Sequence, residues 1–105
     1  MPRFLFSYRV PKDYRPGRET GQAWEAWFES LGSSRSDTGY AVAATRTLGN
    51  LDAQTRLGGS SVVTAENIEA AAAMAGGSPA LQLGGRVGIG AIPQISGIPG
   101  GGTDA

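Results

Sequence analysis

Residues 57 to 92 read LGGSSVVTAENIEAAAAMAGGSPALQLGGRVGIGAI, and their order decides the fold. Gly58 and Gly59 lead into a short apolar run ending at Val63. Thr64 then stands where a helix N-cap is wanted, its hydroxyl set to accept from the amides of the first turn. The spacing predicts a helix over roughly residues 65 to 75, with Ile68, Ala71, Ala72 and Ala75 on one face and Glu66 against the positive end of the dipole. Small residues let such a helix lie close to a sheet. Gly76 or Gly77 suits the left-handed position that ends a helix, and Pro79 cannot continue it. From Leu81 the chain extends again, Val87, Ile89 and Ala91 alternating with Arg86, Gly88, Gly90 and Ile92. Strand, helix and strand follow with little slack, as in half of an α+β sandwich.

Working outward, residues 3 to 10 alternate with the period of a β-strand: Phe4, Phe6, Tyr8 and Val10 on one face, Arg3, Leu5, Ser7 and Arg9 on the other. Both faces carry bulk. Pro11, Pro16 and Gly17 break the strand. From about Glu19 to Leu31, Trp24, Trp27, Phe28 and Leu31 fall at i, i+3, i+4 and i+7, a single helical stripe. Two tryptophans on a stripe invite a ligand-stacking reading, but core packing of large aromatics accounts for them. Gly32 stops that helix. Tyr40 to Leu48, rich in Ala, Val and Thr, reads as a second strand, with Tyr40, Val42, Ala44 and Arg46 on one side. The connection from Gly49 to Gly59 turns it into an antiparallel hairpin with Leu57 to Val63. The last nine residues, Gly97 to Ala105, hold four glycines and a proline and are expected to form a flexible tail after a domain of residues 1–96.

The resulting order, βαββαβ, predicts an α+β, ferredoxin-like fold: a four-stranded antiparallel sheet with two helices on one face. The other face is left bare. The two-sided bulk of residues 3 to 10 predicts a homodimer packed sheet to sheet, a dimeric α+β barrel.

Composition narrows the chemistry. A chain of 105 residues forms one core, burying about two-thirds of the surface its unfolded form exposes. Nine basic and nine acidic residues cancel, so nothing marks an electrostatic footprint for nucleic acid or an anionic membrane. No apolar run approaches the ~20 residues that span a bilayer, and Met1 to Val10 is aromatic and strand-like, unlike a signal peptide. A cytoplasmic protein is expected. The chain has no cysteine and no histidine. Thiolate nucleophiles, disulfides, Cys/His zinc sites and imidazole acid-base schemes are therefore excluded within it. The acidic residues are dispersed without EF-hand spacing, so neither a metal nor any other cofactor is expected.

The segments Leu57 to Val63, Ala65 to Ala71, Gly76-Gly77-Ser78-Pro79 and Gly84-Gly85-Arg86-Val87-Gly88-Ile89, with the opening Phe4 to Tyr8 strand, together resemble the YCII-related superfamily of small bacterial proteins over about residues 3 to 95. The resemblance lies in the order and spacing of weak motifs. It implies a dimeric barrel in which two ferredoxin-like sheets enclose a cavity. Members with a proposed active site carry a His near the start of the first helix and an Asp in an Asp-Pro step after the second. This chain has no His, and its step reads Ser78-Pro79, so the resemblance implies the scaffold without that pair.

The candidate ligand-binding residues are Arg9, Asp37, Tyr40, Arg46 and Arg86, because arginines offer bidentate donors to a small anionic ligand. The bland alternative makes them rim charges or intersubunit ion pairs. Gly85-Arg86-Val87-Gly88 is no phosphate loop, since no helix follows it. Three functions fit: a non-catalytic dimeric barrel that binds a small molecule or serves a regulatory partner; a cofactor-independent enzyme using Asp37 or Tyr40 for proton transfer; and a docking module. The first is preferred. A buried Asp37 or Tyr40 in a pocket would favour the second.

Overall fold

The computed structural model describes residues 1–49 and 54–93. Its centre is β1 (Arg3–Pro11), which alternates as its sequence does: Phe4, Phe6, Tyr8 and Val10 are buried, while Leu5 remains 41% exposed. β1 is flanked by β3 (Thr55–Thr64) and β4 (Arg86–Ile92), both antiparallel to it. β2 (Arg35–Ala41) pairs antiparallel with β3 at the edge, which completes a four-stranded sheet of order β2-β3-β1-β4. Register sorts the side chains by face. Phe6 is level with Ser61 and Ile89, and both flanking positions share its buried side. Ser7 is level with Ser60 and Gly88 on the other.

The helices cover the Phe4 side. α1 (Arg18–Leu31) opens with Gly17 as N-cap, whose amide donates to the Thr20 hydroxyl at 2.9 Å, and Glu19 lies in its first turn. Trp27 of α1 is buried in one core cluster with Phe4, Phe6, Tyr8 and Val63. Phe6 stacks on it with ring centroids 6.3 Å apart. α2 (Ile68–Ala75) joins the same cluster through Ala71 and Ala75, and a short α3 (Pro79–Gln82) joins through Ala80. The result is an α+β fold with an antiparallel sheet, covered by helices on one face.

Several boundaries differ from the sequence expectation. α2 begins at Ile68 rather than at 65, capped by Asn67, whose side chain accepts from the Ala70 amide at 2.8 Å. Thr64 remains in β3, and the Ala65 amide is committed to the Pro2 carbonyl at 3.1 Å. Ile68 is exposed, and Met74 packs against the core. Gly76 caps the end of α2 in a right-handed rather than a left-handed conformation. Buried Ser78 starts α3 instead, its hydroxyl accepting from the Ala80 amide at 3.1 Å with Pro79 in the first turn. Extension resumes at Arg86, not at Leu81.

The largest shift is at β2, which runs from Arg35 to Ala41 and not from Tyr40 to Leu48. Its residues are almost all exposed, so apolar alternation could not locate it. Backbone approach locates it instead: at Gly39, with φ +77°, a Cβ would run into the Ser60 carbonyl. The hairpin to β3 stands, although most of its 42–54 connection carries no strand and residues 50–53 lie outside the described part. The expected tail, residues 97–105, also lies outside it.

Candidate functional site

A cavity of about 800 Å³ opens between α1, the β1 to α1 connection and the β2/β3 edge of the sheet. It lies on the helix-covered side. Tyr8, Val10 and Ser61, all buried, form its floor, and Gly21, Trp24 and Phe28 of α1 form a wall. Exposed Arg15, Pro16 and Ala43 stand at its rim. The lining is largely apolar, the usual character of a small-molecule pocket.

The α1 stripe thus divides its labour. Trp27 is core. Trp24 and Phe28, one turn apart from each other, pack partly on the core and partly face the cavity, with centroids 5.8 Å apart. Tyr8 meets Trp24 edge-on at 5.0 Å, which fixes the floor against the wall. Gly21, one turn before Trp24, leaves a gap in the stripe: a side chain added there would meet nothing within 4 Å. That gap in the α1 wall contributes to the hollow.

The polar groups of the floor are few. The Tyr8 hydroxyl is buried and has no hydrogen-bond partner among the described residues. Burial pushes its pKa up to about 12, and neighbouring Ser61 pulls it back only in part. Ser61 donates its own proton to the Thr38 carbonyl at 2.6 Å. Although Ser61 is close enough to influence the phenol, the geometry gives no bond between them, and the Tyr8 hydroxyl stands as an unpaired group.

At the entrance, Arg56 is half-buried. It donates to the Tyr14 carbonyl at 3.1 Å and to the Leu57 carbonyl at 3.4 Å, and its guanidinium lies 5.9 Å from the Tyr14 ring centroid. Arg15 donates to the same Tyr14 carbonyl at 3.2 Å.

The five residues singled out from sequence do not gather here. Arg9 and Arg86 are neighbours across β1 and β4, but on the bare face of the sheet. Arg9 donates there to the Thr55 hydroxyl at 2.8 Å and to the Thr55 carbonyl at 2.9 Å. Asp37 is exposed, and its carboxylate accepts from the Gly39 amide at 2.9 Å, closing a local turn. Tyr40 is the only one of the five that lines the cavity, and it is 82% exposed. Arg46 is exposed in the stretch after β2, on no strand. Neither Asp37 nor Tyr40 is therefore the buried proton carrier that an enzymatic reading requires.

The sequence pattern assigns Trp24 and Phe28 to core packing and Tyr8 to a strand face, and it does not single out Arg15 or Arg56. A usable signal was present at α1, where Gly21 continues the Trp24 and Phe28 stripe backward with no side chain. Among the described residues, no three His, Cys, Asp or Glu side chains come together as a metal site, and no helix is long and apolar enough to cross a membrane. No family model, curated protein or solved structure matches the chain.

Proposed function

We propose that this chain is a ferredoxin-like protein that pairs with a second copy through its bare sheet face and binds a small molecule without transforming it. The observation that carries the binding reading is the cavity itself: about 800 Å³ walled by aromatic side chains is a large hollow for so short a chain. Among the described residues, no carboxylate lines it. Its buried phenol, held up to about 12, keeps its proton at neutral pH and is a hydrogen-bond donor rather than a base. These features favour binding over proton-transfer catalysis.

The ferredoxin-like reading rests on the chain order β1-α1-β2-β3-α2-β4 with β1 and β3 central. The inferred kinship with YCII-related proteins rests on the same order and on the motifs that carry the resemblance. Pairing through the sheet is supported by Leu5 and Leu57, 41% and 39% exposed on the face that no helix covers. A sheet-to-sheet dimer would bury both.

Two variants test the two halves. Gly21→Leu removes a flexible residue from a helix, worth up to about 1 kcal/mol of added stability, and fills the hollow. A thermal-shift and fluorescence screen against aromatic carboxylates, phosphates and neutral aromatics is expected to find ligands for the wild type that this variant no longer binds. If no compound binds, or if Gly21→Leu binds equally well, the cavity is not the site. Leu5→Glu is expected to turn a dimer into a monomer in sedimentation while leaving ligand affinity within a few-fold. A monomeric wild type would refute the pairing.

A further inference from the structure

Resting on the binding reading above, we infer that the cavity takes an amphipathic anion: a flat apolar body that enters between Trp24 and Val42, carrying one carboxylate that stays at the entrance between Arg15 and Arg56. The placement follows from how charge is distributed around the hollow. Among the described residues, Arg15 and Arg56 are the two cationic ones that line it, and no acidic residue does. Asp13 and Glu19, the acids nearest Arg15 in sequence, stand outside the lining.

The two guanidiniums are also drawn together. Both donate to one oxygen, the Tyr14 carbonyl, at 3.2 Å from Arg15 and 3.1 Å from Arg56. Two like charges held on one neutral acceptor repel each other, and an anion between them relieves that repulsion. Arg56 is set in place beforehand by the Tyr14 ring and the Leu57 carbonyl, so part of the ordering cost of binding is already met. A carboxylate suits the pair because each of its oxygens can face one guanidinium. The interior calls for the other half of the molecule. Trp24, Phe28, Val10 and Val42 offer apolar and aromatic surface on which a planar body can stack.

The test compares 2-naphthoate with neutral 2-naphthamide, similar in shape, by titration of the intrinsic tryptophan fluorescence of the full chain at low salt. The expected result is that naphthoate binds at least about tenfold more tightly than the amide, and that added salt narrows the gap. Arg15→Gln, at an exposed position, and Arg56→Gln should each bring the two ligands to near-equal affinity. Arg86→Gln, on the bare face, should leave the preference intact. Equal binding of both compounds by the wild type would overturn the anion inference and leave the binding cavity standing. Loss of the preference in Arg86→Gln but not in the other two variants would overturn the placement. Failure of both compounds to bind would overturn the binding reading from which this inference starts.

Discussion

One face of β1 puts Phe4, Phe6 and Tyr8 under α1, α2 and α3, where each is at most 3% exposed; the other leaves Leu5 open and Ser7 and Arg9 half-buried. The same strand, with the same hydrogen-bond ladder on both edges, therefore builds two different surfaces. On the helix side burial is nearly complete at Phe6 and gives way to a hollow beyond Tyr8, where the α1 stripe reaches Gly21. On the bare side, Leu5 lies between Val62 and Gly90, and Ser7 between Ser60 and Gly88. The difference teaches that side-chain size along two neighbouring elements, more than backbone layout, decides which face can enclose a ligand and which can meet another sheet.

The comparison breaks most visibly at Phe6. Truncating this fully buried ring to Ala is expected to cost about 3–5 kcal/mol in denaturant unfolding, enough to threaten folding of so small a domain. A cost below about 1 kcal/mol would mean that the helix side is not the core.

Tyr8→Phe sharpens the boundary between core and hollow. It keeps the ring contacts and deletes a buried hydroxyl without a partner, so the variant should gain about 1 kcal/mol at neutral pH. The pH dependence carries the same information. In the folded chain the phenol titrates near 12 against an ordinary 10.0, so the unfolded chain ionises first. Wild-type stability is then intact below about pH 10 and falls as pH climbs toward 12. Tyr8→Phe should lack that part of the alkaline loss, read as the difference between the two unfolding curves across this window. Identical slopes for both would place the phenol in water.

The smallest effect belongs to the bare side. Leu5→Ala should change the stability of the isolated chain by no more than about 0.5–1 kcal/mol, because much of the side chain is already in water. A loss as large as that of Phe6→Ala would erase the distinction between the faces within a single copy.

Much of the fold was legible. The clean alternation of residues 3 to 10 and the aromatic stripe of α1 each declare a period and lie where the pattern put them, and the Val87, Ile89 alternation falls within a strand that begins later than expected, with both side chains half-buried and Ala91 exposed. β2 was not legible, because Arg35 to Tyr40 has no apolar face and is held by pairing to β3 and by the Gly39 approach to Ser60. The start of α2 was misjudged because Thr64 and Asn67 are both good caps. The choice between them falls to a tertiary hydrogen bond, from Ala65 to Pro2. The site was harder still. Alternation separates the faces of a strand without saying which face encloses space, and the search for polar residues led to Arg9, Arg86 and Asp37 on the bare side or the edge. The hollow is built from aromatic residues that look like ordinary core, and its arginines, Arg15 and Arg56, meet only because the β1 to α1 connection folds back over β3.

The central claim is that the helix side, and not the bare side, receives the ligand. Methyl and tryptophan indole resonances of the isotope-labelled chain, followed during titration with 2-naphthoate, test this. Shifts are expected at the Val10 and Val42 methyls and the Trp24 indole, with Leu5 and Val62 unmoved by ligand. Shifts confined to Leu5 and Val62 would contradict it.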